Sequence, residues 1–250
     1  KGIQQCNKNL KISEPFKNLF TQGMVCHESY KDERGEWLYP DEIEKVSNNT
    51  VIKKTDKSKV IVGPPESMSK SKKNTIDPEI MIKQYGADSV RWFILSDSPP
   101  EKDVQWSDSG VVSANKFLQK IWNLNYSISI RENKKSDKSK EIKFNSEINS
   151  YLFRIDQTIN TFRFNVSIAN FYEVYKIFKN YLETDINNEI LKEGIIKIMK
   201  QMVPFVPHLA HECLELHKCK TVNMWPSIKK NDLIEKIKLA VQVNGKTRDN

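Results

Sequence analysis

The sequence predicts a mainly α-helical fold with a minor β component, in which the helices form an antiparallel bundle. Two observations support this prediction. From Asp77 onward, apolar residues recur at the three- and four-residue spacing that is typical of amphipathic helices. Before that residue, short β-branched runs are separated by polar turns, which indicates a small β-containing segment.

The strands are predicted near the two ends of the chain. Residues 1–25 predict the end of a helix, a turn at residues 13–15 and a buried strand in the apolar run NLFTQGMV (18–25). Residues 26–66 predict a hairpin, because a polar turn joins the β-branched runs 51–52 and 60–62. Near the other end, LAVQVNGKTRDN alternates like a strand toward a turn at residues 244–245.

The first helix is predicted at Asp77-Pro78-Glu79, which combines an N-cap acceptor, a proline at the first helical position and an acid in the first turn. Gly86 predicts its end, and DSVRWFILS (88–96) predicts a second helix with Val90, Phe93 and Ile94 on one face. The segment PPEKDVQW (99–106) then predicts a loop.

The bundle is predicted from four later helices and a short one at the end. Ser107–Asp108 caps the first of them, and the polar stretch RENKKSDKSKEIK (131–143) predicts an exposed connection. Prolines 204 and 207 frame a turn into the helix HLAHECLEL, and short joints favour an up-and-down bundle. The apolar positions are Val111, Ala114, Leu118, Ile121 and Leu124; Ile148, Leu152, Ile155, Ile159 and Phe162; Phe171, Val174, Phe178 and Tyr181; and Leu191, Ile195, Ile198 and Met202.

Length and charge narrow the class of protein. With 250 residues the chain suits one or two domains, and a net charge of +8 favours a polyanionic partner. No stretch approaches the roughly 20 apolar residues of a membrane span, so no membrane partner is predicted. The four cysteines show no CxxC spacing, which predicts a reducing, cytoplasmic location. The chain opens without a methionine, so we expect a fragment.

Three apparent sites are better interpreted as packing or chance. The cluster HLAHECLELHKC (208–219) has zinc-type side chains, but on a helix His208 and His211 lie roughly opposite Cys213 and His217, so packing is favoured over a metal site. The aromatic positions of the third bundle helix are likewise favoured as core over base stacking. Gly245-Lys246-Thr247 is not a phosphate-binding P-loop, because Ala240 stands where such a loop needs glycine.

The loop PPESMSKSKKNTIDP (64–78) is suited to binding phosphate. Lys70 supplies a mobile charge, Ser69 and Ser71 supply donors, and the small side chains let the backbone approach. The loop and the helices predicted after it resemble the KMSKS signature region of class I aminoacyl-tRNA synthetases, in the sequence MSKSKKNTIDPEIMIKQYGADSVRWFILSDSPPEKDVQWSDSGV. These residues resemble the bacterial leucyl type in particular. This resemblance extends over nearly the whole chain, through EPFKNLFTQGMV, VPFVPHLAHECLE, residues 225–226 and VQVNGKTR.

The resemblance implies a reaction and a set of site residues. Such enzymes activate leucine with ATP and Mg²⁺, release pyrophosphate and transfer the leucyl group to the 3′-terminal adenosine of tRNA(Leu). Lys70 matches the catalytic lysine, which meets the charge that builds on the departing phosphates. The implied ATP-binding residues are Ser67, Met68, Ser69, Lys70 and Ser71. Lys72 and Lys73 are expected to make further phosphate or tRNA contacts, and no resident metal is expected.

The sequence differs from the family pattern in two respects, and both affect the activity that we expect of this chain. Ser67 stands where the family has its first signature lysine, and we hypothesise that Lys72 and Lys73 compensate for the missing charge. The HIGH tetrapeptide and the editing domain of the family are absent from this sequence, so we expect the chain alone to be inactive in adenylation. The expected partners are tRNA(Leu), ATP and leucine, bound by a monomer.

The resemblance also predicts the domain organisation. We expect the distal end of a class I nucleotide-binding catalytic domain at 1–25, a leucine-specific type of insertion at 26–66, and the signature loop with stem-contact helices at 67–106. A helical tRNA-binding bundle, of the kind called an anticodon-binding domain, follows at 107–232, and a truncated C-terminal domain begins at 233–250.

Two alternatives stay open at this point. Isoleucyl, valyl and methionyl enzymes share the signature loop, although the insertion before it and the phrase DSPPEKDVQWSDSGV favour leucine. A chain of a different class, a non-catalytic RNA-binding module, would share the basic charge and the helices.

Overall fold

In a computed structural model, the described residues are 16, 18–47, 50–228, 241–243 and 246–249, and side chains are described up to residue 228. They form two compact units. One contains residues up to 74 together with 100–105, and the other contains 75–99 together with the residues from 106 onward. The predicted domain boundaries stay predictions. The helix end and turn predicted within residues 1–15 lie outside the described residues, as does the turn at 244–245.

The first unit is built from short strands. They are β1 Val25–His27, β2 Tyr30–Lys31, β3 Trp37–Leu38, β4 Ile43–Ser47, β5 Thr50–Lys53, β6 Ile61–Val62, β7 Glu66–Ser67 and β8 Val104–Gln105. One sheet has the order β7-β1-β8, with β7 antiparallel and β8 parallel to β1. A second sheet has the antiparallel order β3-β2-β6, and β4 pairs with β5 as a hairpin. The small core consists of Tyr30, Leu38, Ile43, Val51 and Val60.

Three strand predictions need correction. In the run 18–25 the strand begins only at Val25, and Leu19 is 90% exposed, because the described chain offers residues 18–22 no partner strand. Gly23 and Met24 bond to the main chain of Pro100 and Val104 but are not part of the strand. The predicted hairpin is half right: Val60 N–H donates to Val51 O across the turn, but β5 pairs with β4 and β6 pairs with β2. The predicted loop 99–106 contains β8.

The second unit is helical. Its helices are α1 Pro78–Tyr85, α2 Ala87–Asp97, α3 Asp108–Ile130, α4 Lys138–Asn160, α5 Phe164–Leu182, α6 Asn188–Met202 and α7 Pro207–Leu216. The start of α1 is confirmed, since the Asp77 side chain accepts the Glu79 N–H at 2.8 Å, and Gly86 ends this helix with φ +82°. The predicted cap Ser107 likewise accepts from Gly110 N–H. Strands β9 Val241–Val243 and β10 Lys246–Asp249 pair antiparallel.

One continuous core joins α2 to α7. Helix α3 packs against α2 and α7, and α4 packs against α5 and α6. All five predicted positions of α3 are buried, as are Phe171, Val174 and Phe178 of α5 and all four predicted positions of α6. The predicted fold class, mainly α with minor β and a helical bundle, is confirmed. In the part of the chain that the structure describes, no helix is long and apolar enough to cross a bilayer.

Three details of the bundle differ from the prediction. Helix α4 begins at Lys138, inside the stretch predicted as a connection, because Asp137 caps it by accepting Ser139 N–H at 2.9 Å. Phe162 lies beyond the end of α4 with φ +56°, so it is a turn residue rather than a core position. Trp92 of α2, which the face prediction omitted, is completely buried.

Candidate nucleotide-binding loop

Residues 66–74, which we call the lysine loop, leave one sheet of the first unit. Strand β7 pairs with β1 at Cys26 and Ser67, and the Met68 N–H extends this pairing by donating to Val25 O at 3.1 Å. Ser69 then starts a 3₁₀ turn at Lys70–Lys72. The sheet therefore fixes the beginning of the lysine loop, while its turn stands at the surface.

Asn74 fixes the other end of the lysine loop. This residue is completely buried. Its Oδ1 accepts the Ser69 N–H at 2.8 Å, and its Nδ2 lies 3.3–3.4 Å from the carbonyl oxygens of His27, Glu66 and Ser67. Sequence reasoning missed this residue, because one asparagine in a polar run carries no periodic signal of burial.

The three lysines of the loop differ in their contacts. Lys72 forms an ion pair with Glu66, and this hydrogen bond holds the pKa of Glu66 below its ordinary value. Lys73 has φ +54° and places its ammonium 5.2 Å from the centre of the Tyr39 ring. Lys70 is exposed, and no residue in the described part of the chain forms an ion pair with it. Lys70 thus presents a free cation from the turn.

Ser69 and Ser71 supply hydroxyl groups on either side of Lys70 in the sequence. Ser69 Oγ and Ser71 Oγ are 2.6 Å apart and share a hydrogen bond. Ser67 and Ser71 are exposed, and Met68 is half-buried. An exposed amine with neighbouring hydroxyl donors is suited to phosphate oxygens. The structure describes every residue that the sequence assigned to ATP binding, all of them on this one turn and the strand before it.

The histidine and cysteine cluster is dispersed in the structure. His208 Nδ1 lies 3.0 Å from Asp88 Oδ1, whereas His217 Nε2 lies 3.1 Å from Asn125 Oδ1. Cys213 is buried, and burial raises the pKa of its thiol to about 12. Among the side chains that the structure describes, no three His, Cys, Asp or Glu residues are grouped to hold a metal ion.

A second surface with binding chemistry lies on the outer face of α3, which we define as Asn115, Gln119, Trp122, Asn123 and Tyr126. Trp122 is 37% exposed and Tyr126 is 50% exposed. Together with α2 and α7, this face borders a pocket of about 390 Å³. Residues 109–130 include Lys116 and Lys120 but no acidic residue. The surface therefore combines aromatic rings and amides, and two exposed lysines, Lys116 and Lys120, lie beside it on the same helix.

Comparison with known proteins shows which proteins this chain is similar to. Residues 60–107 match the family described as tRNA synthetases class I (I, L, M and V), and residues 141–250 match the anticodon-binding domain of tRNA ligase. The chain is 37% identical to the leucine–tRNA ligase of Ehrlichia chaffeensis over 242 residues, which is 94% of this chain and 28% of that protein. Two parts of the chain thus match models of tRNA synthetase domains, and nearly the whole chain is similar to one segment of leucine–tRNA ligases.

Further relatives show the same similarity. The leucine–tRNA ligase of Hyphomonas neptunium is 40% identical over 246 residues, covering 96% of this chain and 29% of that protein. The LeuRS of Agrobacterium radiobacter K84, solved as a ternary complex with tRNA and LeuAMS, has the same fold with a TM-score of 0.66 at 18% identity, over 92% of this chain and 26% of that one. The leucine-type resemblance is confirmed, and the chain spans 28–30% of the length of the curated relatives.

Proposed function

We propose that this chain is the part of a leucine–tRNA ligase that carries its ATP-activating loop and a tRNA-contacting bundle. The complete enzyme forms leucyl-adenylate from leucine and ATP and then transfers leucine to tRNA(Leu). The observation that supports this most directly is the free ammonium of Lys70 on a loop whose other two lysines already have partners.

In this proposal Lys70 stabilises the transition state of activation. Negative charge develops on the β- and γ-phosphates as pyrophosphate departs, and a cation placed there in advance lowers the barrier. Ser67, Met68, Ser69 and Ser71 shape the surface that ATP contacts. The turn offers amine and hydroxyl donors rather than free carboxylates, so Mg²⁺ enters as part of the substrate, Mg-ATP.

Pyrophosphate exchange by the full-length protein tests the role of Lys70. Lys70→Ala should lose about 3 kcal/mol of transition-state stabilisation, the order found for a single electrostatic donor. Lys83→Ala is the matched control, because Lys83 is an exposed lysine on α1 that pairs with Glu79. A loss below about threefold for Lys70→Ala, well short of that order, would refute the role.

The tRNA contact is proposed for the outer face of α3. Exposed aromatic rings stack on unpaired bases, exposed amides bond to base edges, and Lys116 and Lys120 contact phosphate. The acidic residue of α3, Asp108, lies at the start of the helix, two turns before Lys116. The similar LeuRS structure from A. radiobacter contains tRNA, which supports an RNA partner for this segment. We also propose that the complete protein is cytoplasmic and monomeric.

Filter binding of tRNA over a salt series tests this surface. Trp122→Ala should weaken binding about tenfold or more with an unchanged salt slope, since stacking is worth roughly 1–3 kcal/mol per base. Lys116→Ala with Lys120→Ala should reduce the slope by about 1.5, because each phosphate contact contributes roughly 0.7–0.9. Phe162→Ala, an exposed ring outside this face, is the control.

The two experiments together separate the proposal from its alternative. A full-length parent protein that shows no pyrophosphate exchange but binds tRNA with a steep salt dependence would favour a non-catalytic RNA-binding module. Affinity that does not change with salt would contradict phosphate contacts altogether.

A further inference from the structure

Asn74 makes contacts that concern the shape of the lysine loop rather than its charge. Among the described residues its side chain bonds to main-chain atoms alone, at 2.8 Å to the Ser69 N–H and at 3.3–3.4 Å to three carbonyl oxygens. These atoms belong to β1, to β7 and to the residue that starts the 3₁₀ turn. One amide therefore ties the turn that carries Lys70 to the sheet behind it.

The other contacts of the loop constrain it less. Both side chains of the Glu66–Lys72 ion pair are partly exposed, and exposed ion pairs contribute little to stability. The bond between Ser69 and Ser71 lies within the turn and does not attach it to anything. The Met68 N–H bonds to Val25 O just before the turn, and the Lys73 ammonium lies near the Tyr39 ring just after it.

Within the described residues, Asn74 is the buried side chain that bonds the turn itself to the sheet. Without this amide, the Ser69 N–H and three carbonyl oxygens lose a hydrogen-bond partner. Unpaired buried polar groups cost free energy, and the loop can lower that cost only by moving.

We propose that Asn74 is a positioning residue for activation, which holds the Ser69–Lys70 turn where the lysine meets the departing phosphates. This inference rests on the proposed function, because it assigns Asn74 an effect that is transmitted through Lys70. Asn74 contacts no substrate itself. Its side chain fixes the Ser69 amide, and the backbone of Ser69 sets the direction in which Lys70 leaves the turn.

The test is a double-mutant cycle in the full-length protein, measured by pyrophosphate exchange. Asn74→Ala should lower kcat about tenfold or more, while the KM for leucine changes less than about twofold. In Lys70→Ala protein, the added Asn74→Ala change should cost less than about twofold, because the group that Asn74 positions is already absent. A residue with a purely structural role would reduce the rate by the same factor in both backgrounds.

Two further variants keep the test decisive. Asn188→Ala is the matched control, since Asn188 is equally buried and donates to Ile128 O and Arg131 O in the helical unit; its kcat should be unchanged once the folded fraction is measured. Asn74→Asp keeps the shape and the acceptor for the Ser69 N–H, so it replaces Asn74→Ala in the cycle if the alanine variant does not fold.

The outcomes distinguish this inference from the proposed function. Lys70→Ala without effect would refute the role that the proposed function gives to Lys70, and the positioning role of Asn74 with it. An effective Lys70→Ala with independent, multiplying losses from Asn74 would overturn only the positioning role. Failure of both Asn74 variants to fold, with Asn188→Ala folded, would also overturn it and assign Asn74 to structure.

Discussion

Lys72 and Glu66 form an ion pair at the base of the lysine loop, and this bears on the charge that Ser67 does not supply. Paired in this way, Lys72 has its charge offset within the loop, so it can compensate only if the phosphates of ATP displace Glu66. We expect Lys72→Ala to slow pyrophosphate exchange less than Lys70→Ala does. Glu66→Gln should raise the rate by freeing the ammonium, and an unchanged rate in Lys72→Ala would rule out compensation.

His217 predicts a pH dependence of stability. Its Nε2 bonds to Asn125 Oδ1, and since an amide oxygen only accepts, the imidazole donates from Nε2. Its Nδ1 is buried with no hydrogen-bond partner among the residues described. Burial, with a smaller contribution from Lys192, lowers the pKa of His217 from its ordinary 6.5. Protonation is therefore easier in the unfolded chain.

The sign of the effect follows from linkage. Well above pH 6.5 His217 is neutral in both states, so it takes nothing from the free energy of unfolding. As the pH falls below 6.5, the unfolded state binds a proton that the folded state resists, so the free energy of unfolding decreases until the folded pKa is reached. Urea unfolding between pH 7.5 and 5.5 should show this decrease in the parent and in the control His208→Gln. His217→Gln should be flatter, and an equal slope would contradict the assignment.

For individual residues, the sequence predicted which side chains of the lysine loop are suited to phosphate, but not which residue holds the loop in place. Lys70, Ser69 and Ser71 are recognisable because charge and hydroxyl groups are concentrated over a few adjacent residues. Asn74 is not recognisable, since His27, one of its partners, lies 47 positions away in sequence. The left-handed backbone of Lys73 was equally hidden, because lysine has no preference for that conformation.

Arg131, just after the last residue of α3, connects helical elements. It donates from Nε to Leu182 O at 3.1 Å, from Nη1 to Ile186 O at 2.9 Å and from Nη2 to Thr184 O at 2.7 Å. These carbonyls belong to the end of α5 and to its connection with α6. Partial burial lowers the pKa of Arg131, but a guanidinium stays charged near neutral pH.

Substitution of Arg131 should therefore destabilise the bundle. Arg131→Ala removes one donor from each of three carbonyls, of which Thr184 O keeps the Ile186 N–H, and should cost about 2 kcal/mol of unfolding free energy. Arg131→Lys should recover only part of this loss, because an ammonium cannot reproduce the planar fork of donors. Arg154→Ala, which removes an exposed arginine near the Tyr151 ring, is the control and should change stability little in urea unfolding. Full recovery by lysine would contradict the geometric argument.

Helices were predictable from the sequence because their signals are local. The caps Asp77 and Ser107 and the periodic positions of α3 and α6 all lie within one element. The strands were less predictable, since β1 is three residues long and its parallel partner β8 lies 79 positions further along the chain. Composition indicated β structure near residues 18–25 and 51–62, but it could not show which segments pair.

The two compact units differ in the size of their hydrophobic cores. In the first unit the buried apolar cluster of the described residues consists of five side chains. In the second, every helix from α2 to α7 contributes to one continuous cluster that includes Trp92, Phe144, Phe171 and Phe178. Since burial of apolar area is the main favourable term in folding, the first unit has much less to oppose its conformational entropy.

Hydrogen exchange should therefore detect different opening energies in the two units. We expect amides of the β4–β5 hairpin to exchange through openings at least about 2 kcal/mol less costly than those of α6, because local stability follows buried apolar contact. Mass-spectrometric exchange of the native chain measures both in one sample. Amides of α3 and α6 share one core and serve as the internal control, with similar opening energies expected. Protection of the hairpin equal to that of α6 would show that core size does not set the stability of the first unit.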